Sequence, residues 1–181
     1  NYGAEAEVSL KTPFFFSARV DRQETNGLQP FNWTTALREI PAPIDYTTDT
    51  LNLQTGYRSN GLIVTLDGTI SNFSNANNTF YIGQIGAGLA GYAYLPPDNK
   101  YYKVGGSVMY KLPIWSTTLM ARGSHSILQS TPLLFETPAA GITWNGLVTY
   151  DSASGSITTT PLKNLDARIH YNYLSTHNQS D

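Results

Sequence analysis

Apolar and polar residues alternate with a period of two along most of this chain. The clearest stretch is Ile157 to Tyr173, ITTTPLKNLDARIHYNY. An extended run stops at Pro161, the chain turns through Lys163 and Asn164, and a second run follows. It places Leu165, Ala167, Ile169, Tyr171 and Tyr173 on one face and Asp166, Arg168, His170 and Asn172 on the other. Successive strand side chains point to opposite sides, so one side is apolar and ends in tyrosines while the other is charged or amide-bearing. The pattern predicts a hairpin with a short connection, suited to a wall between lipid and water.

The same alternation recurs from the start. Ala4, Ala6 and Val8 oppose Glu5, Glu7 and Ser9; after Thr12-Pro13, Phe14, Phe16, Ala18 and Val20 oppose Phe15, Ser17, Arg19 and Asp21. Glu24 to Tyr46, with three prolines, predicts a long loop, with Thr34 to Glu39 as one helical turn. Leu51, Leu53 and Tyr57 then oppose Asn52 and Gln54, and Asn60-Gly61 marks a tight turn. Leu62 to Ser71 gives a fourth strand whose polar face carries Asp67, and Asn72 to Asn99 a second long loop. Tyr102 to Lys111 puts Tyr102, Val104, Val108 and Tyr110 against Lys103, Ser107 and Met109; beyond Leu112 to Trp115, Leu119 and Ala121 oppose Met120 and Arg122. A third long loop spans Leu128 to Gly146, and a weakly alternating seventh strand runs from Leu147 to Thr160.

Short connections therefore alternate with long ones, strand after strand. An up-and-down meander gathers the short turns at one end and the long loops at the other, as transmembrane β-barrels do with periplasmic turns and external loops. The expected fold is all-β: an antiparallel up-and-down transmembrane barrel segment of about eight strands, without an internal domain boundary across 1–181. A soluble β-sandwich also alternates, but two details favour the barrel. Aromatic residues gather near strand ends (Phe14 to Phe16, Tyr46, Tyr57, Tyr101, Tyr102, Tyr110, Trp115, Tyr171 to Tyr173), and small residues such as Ala4, Ala6, Ala18, Gly106, Ala121 and Ala167 occupy mid-strand apolar positions.

Composition agrees with this reading. Only 13% of the 181 residues are charged, against roughly 25% in ordinary soluble domains. A net charge of -2 gives no polyanion-binding signature, so nucleic acid is not an expected partner. Cysteine is absent, which removes disulfides, thiolate metal sites and covalent haem attachment on this chain. No apolar run reaches the ~20 residues of a spanning helix. A first residue other than Met predicts a processed product or a piece of something longer.

Candidate functional residues fall into two sets. The inner-wall set is Glu5, Glu7, Arg19, Asp21, Asn52, Gln54, Asp67, Lys103, Arg122, Asp166, Arg168, His170 and Asn172. The interfacial set is Phe14, Phe16, Tyr57, Tyr102, Tyr110, Trp115, Tyr171 and Tyr173. No catalytic, cofactor or metal residue is expected. His125, His170 and His177 lack metal-ligand spacing, the glycines of GQIGAGLAG lack the end of a phosphate loop, and Glu136, Asp151 and Asp166 have no fixed separation for paired-carboxylate chemistry. Asn and Asp in SNFSNANN and PPDN could offer oxygen ligands to Ca²⁺.

Four segments, TPFFFSARV (Thr12 to Val20), EIPAPIDYTTDTL (Glu39 to Leu51) with GYRS (Gly56 to Ser59), LPPDNKYYKVGGSVMYKLP (Leu95 to Pro113) and TTTPLKNLDARIHYNY (Thr158 to Tyr173), resemble, in this order, the MtrB/PioB family of outer-membrane β-barrels associated with decahaem cytochromes. Family members are much longer, so the resemblance implies an internal fragment of a bacterial outer-membrane barrel. It also implies a sheath, not an enzyme. The lumen would enclose a periplasmic multihaem c-type cytochrome, which carries the haem and passes electrons to or from an external cytochrome or mineral. Two other functions fit the residues: a general diffusion porin or small standalone barrel, and a soluble carbohydrate-binding β-sandwich.

Overall fold

The computed structural model describes residues 1–9, 12–33, 38–83, 91–135 and 142–181. Eight strands build one antiparallel sheet, neighbour to neighbour: β1 (Tyr2–Ser9), β2 (Phe14–Trp33), β3 (Arg38–Ser59), β4 (Leu62–Asn75), β7 (Asn99–Lys111), β8 (Thr118–Ser130), β11 (Leu147–Leu162) and β12 (Leu165–Asn178). Two small hairpins interrupt the long connections: β5 (Thr79–Ile82) with β6 (Gly91–Tyr94), and β9 (Leu133–Phe135) with β10 (Ile142–Trp144). Every substantial contact among the eight large strands is between ladder neighbours, so the sheet is a single layer. That overturns the sandwich, which needs two layers around a shared apolar centre. The sheet is open between β1 and β12.

The tight connections form where the residues allow them. Asn60 (φ 45°) and Gly61 (φ 80°) form the two-residue turn between β3 and β4; an L side chain enters this left-handed region at a cost that Asn and Gly minimise. Lys163 and Asn164 close β11 onto β12. Pro161 does not stop β11, contrary to expectation. The strand continues to Leu162, and the proline falls in the register irregularity between Thr159 and Leu162, where a missing N–H is tolerated.

Residues 24–33 and 38–46, expected in a long loop, are strand. The β2–β3 ladder runs unbroken from Phe14↔Tyr57 to Trp33↔Arg38. β4 leaves β3 beyond Tyr46↔Asn75. Residues 23–33 and 38–45 form a ribbon in which the outer edge of 38–45 pairs with no other described strand, which is why Pro41 and Pro43 fit inside it. Of the expected helical turn, Arg38 and Glu39 belong to β3, and 34–37 lie outside the described residues. Residues 84–90 of the glycine-rich stretch and Glu136 also lie outside them.

Residues paired directly across an antiparallel ladder share a face. In the ribbon Phe31↔Ile40, Gln29↔Ala42 and Gly27↔Ile44 have the parity of Arg19, Asn52 and Asp67, so the face that is polar lower down becomes apolar here. The β5–β6 hairpin seats on it. Phe80 and Ala93 pair on one side of the hairpin, and the Phe80 ring meets Phe31 at 5.4 Å and 90°. Ala42, Ile82, Ala93 and Leu95 are the buried hydrophobic residues among those described, so the one small core is here. The returning segment is stapled to β4: the buried Asn75 side chain donates to the Pro96 carbonyl (2.9 Å), and its backbone N–H to the Asp98 carboxylate (2.7 Å). Asn75 and Asp98, within the two stretches that could offer Ca²⁺ ligands, thus serve as internal hydrogen-bond partners.

Candidate functional site: the two faces of the wall

The outward face is built of rows that cross the sheet from strand to strand. One reads Ala4, Val20, Leu51, Ile70, Tyr102 and Ile127; another reads Phe14, Tyr57, Val64, Val108, Ala121, Gly155 and Tyr171. No described residue packs over this face, on which Val104 is 61% and Ile169 70% exposed. On β4 the band runs from Leu62 to Ile70. Eight residue steps at ~3.3 Å give roughly 27 Å along the strand and about 20 Å across a bilayer at a 40° tilt, close to the ~25 Å apolar band of outer-membrane barrels.

The loop-side limit of the band is drawn by polar pairs. Between β2 and β3 it is Arg22–Asp49, with Nε–Oδ1 at 2.5 Å and Nη2–Oδ2 at 2.6 Å. Beyond the band there, the Arg22 hydrogen bonds hold the Asp49 carboxyl below the ordinary carboxylate range. The row through this pair reaches β8 at Gln129. Between β8 and β11, however, the limiting pair is His125–Asp151, at 2.6 Å. The boundary has slid from Gln129 to His125, one residue per strand over the four strand steps between the two pairs. A shift of ~3.3 Å along the strand for each ~4.8 Å across it is a tilt of about 35°, the inclination that barrel closure imposes.

All eight interfacial candidates lie outside this wall's polar face. Phe14, Tyr57 and Tyr110 line the turn side of the band, and Tyr102, Tyr171 and Tyr173 its loop side; Phe16 lies one row inside the turn-side edge, and Trp115 is in the exposed turn between β7 and β8. Phe14 and Tyr57 meet edge to face at 5.2 Å. Three further aromatics expected at the lipid interface face the other way. Phe15 covers Gly56 beneath Arg58, Tyr46 packs on Phe73, and Tyr101 shares the face of Lys103. The reason is parity alone, since each is one residue out of phase with the outward set.

The register brings all thirteen inner-wall candidates onto the opposite face. Arg19 binds Asp21 through Nε (2.7 Å) and Nη2 (3.0 Å), with Glu5 directly across the ladder from Arg19. The Asp67 carboxylate crosses β7 to accept from Arg122 Nη2 at 3.4 Å. Gly105 makes that crossing possible, because a Cβ there would stand 2.8 Å from an Asp67 oxygen. These groups line a shallow polar trough. Toward β11 the wall turns to short hydroxyls, with Ser124 on Ser152 at 2.7 Å, followed by Ser154 and Ser156. The two methionines, Met109 and Met120, face each other on this polar side near the turns, beside Ile63.

Asp151 faces outward and Asp166 inward, where it accepts from Thr160 (2.7 Å), so they form no catalytic pair. His125 is bound to Asp151 and His177 to Ser175, while His170 faces inward on a different row. Among the described residues no three His, Cys, Asp or Glu side chains converge as a metal set. No described helix is long and apolar enough to cross a membrane.

A one-layer, tilted antiparallel wall with a bare apolar exterior, aromatic edges and a polar interior defines a transmembrane β-barrel. The family described as "Putative outer membrane beta-barrel porin, MtrB/PioB" matches residues 1–181. The chain belongs to that family, and its place is the bacterial outer membrane. No curated protein matches it.

Proposed function

We propose that this wall is part of a sheath that encloses and insulates a multihaem c-type cytochrome, through which electrons cross the outer membrane, with an external multihaem cytochrome as a further partner. The observation that carries this reading is the inner face. Among its thirteen candidate residues, five carboxylates (Glu5, Glu7, Asp21, Asp67, Asp166) oppose four cations (Arg19, Lys103, Arg122, Arg168), and two of the cations are already paired to wall carboxylates. Such a balanced, hydrogen-bonding surface suits the skin of a hydrophilic protein better than the steering of ions of one sign. The wall performs no chemistry: the haems belong to the partner, and the barrel contributes position and a dry exterior.

The test is purification of the full-length barrel from outer membranes of its own cell. The sheath predicts a stoichiometric haem-staining partner that resists protease until the barrel is unfolded. A haem-free barrel that conducts ions as isolated would instead identify a diffusion porin.

A further inference from the structure

The β5–β6 hairpin lies on the inner side of the β2–β3 ribbon. Two independent contacts place it there: the Phe31–Phe80 ring pair, and the hold of inward-facing Asn75 on Pro96 and Asp98. With Phe80, Ile82 and Ala93 turned to the ribbon, the hairpin's other face carries Tyr81 opposite Tyr92, edge to face at 5.3 Å. These rings are 59% and 60% exposed although the hairpin's other side is buried. Since the ribbon continues the barrel wall, this tyrosine face looks toward the barrel axis.

We infer that the β5–β6 hairpin is a collar that narrows the outer mouth of the barrel. Packed sheets stand about 10 Å apart, so the second layer moves the inner boundary of the mouth inward by about that distance along this arc, before the tyrosine rings are added. The collar is held by a packed core and two side-chain staples, so it has a fixed seat, and whatever fills or crosses the lumen meets tyrosines at its outer end. Tyrosine suits that position, with a ring for apolar contact and a hydroxyl for water.

The experiment uses the full-length barrel in a cysteine-free background, without its partner, in planar bilayers. Tyr81→Cys and Tyr92→Cys are each reacted from the loop side with a bulky maleimide-polyethylene glycol; Leu28→Cys, on the ribbon's exposed outer face, is the control. The collar predicts a stepwise loss of current on labelling at the two tyrosine positions and none at Leu28. Replacing Thr79 to Tyr94 by a short Gly-Ser linker should raise conductance and admit larger sugars in liposome swelling. Equal loss at all three positions, or labelling at Tyr81 and Tyr92 without loss, overturns the collar. The current is read with the lumen empty of protein, so the result is independent of whether a cytochrome is the occupant.

Discussion

The two halves of the β2–β3 hairpin obey opposite rules on a single ladder. In the lower half, Ala18, Val20, Leu51 and Leu53 point outward with no described residue over them; in the upper half, Phe31, Ile40, Ala42 and Ile44 point inward, where Ala42 is fully buried beneath β5–β6. The strands do not twist over between the halves, because the register is continuous. What changes is the solvent. Where lipid surrounds the wall, apolar side chains face out and no core exists; where water surrounds it, the same backbone needs a core and recruits a hairpin to make one. The Arg22–Asp49 pair marks the crossover.

The largest effect should separate lipid from water within the lower regime. Ile169 is central in the β12 part of the band, so Ile169→Arg should cost about 2–4 kcal/mol in reversible unfolding from bilayers, while Arg168→Ile next to it should be mild. Equal costs, or the reverse order, would mean that the faces are inverted.

A second change breaks the upper regime alone. Ile82→Ala opens the small core and should cost roughly 2 kcal/mol or somewhat more, read as faster proteolysis of the segment between β4 and β7 with the barrel still resistant to heat in detergent gels. Loss of barrel folding would mean that the β5–β6 hairpin is not an independent unit.

A third concerns the turn both regimes leave alone. Gly61→Ala forces an L side chain into a positive-φ position beside the Lys111 carbonyl and should cost about 1–2 kcal/mol, with no change in lumen properties. The smallest effect is expected inside. Gly105→Ala pushes on the Asp67 carboxylate and should release Arg122, costing under about 1 kcal/mol because the pair is solvated; the readout is faster modification of Arg122 by an arginine reagent. Unchanged reactivity would show that Gly105 does not govern the crossing.

Much of this architecture is legible in the residues. Period-two alternation set the faces of Leu51 to Tyr57, Tyr102 to Tyr110 and Leu165 to Tyr173, because one wet and one greasy side leave a direct trace in the order of side chains. The upper regime was harder to read. Ile40, Ala42 and Ile44 do alternate, but with Pro41 and Pro43, and prolines read as strand breakers unless the outer edge of 38–45 is known to pair with no other described strand. Phe15, Tyr46 and Tyr101 lie near strand ends, as interfacial aromatics do, but phase decides their side. The slide of the polar boundary from Gln129 to His125 depends on register between strands far apart in the chain, which no local pattern encodes.

The most direct measurement is a nitroxide scan along β3, from Ile40 to Tyr57, in the full-length barrel in lipid. Between Leu51 and Tyr57 odd positions should collide with oxygen and even positions with a water-soluble nickel chelate; Ala42 should be shielded from both, and Pro41 and Pro43 open to the chelate. A single unbroken phase of oxygen access from one end of the strand to the other, or none, would contradict the account.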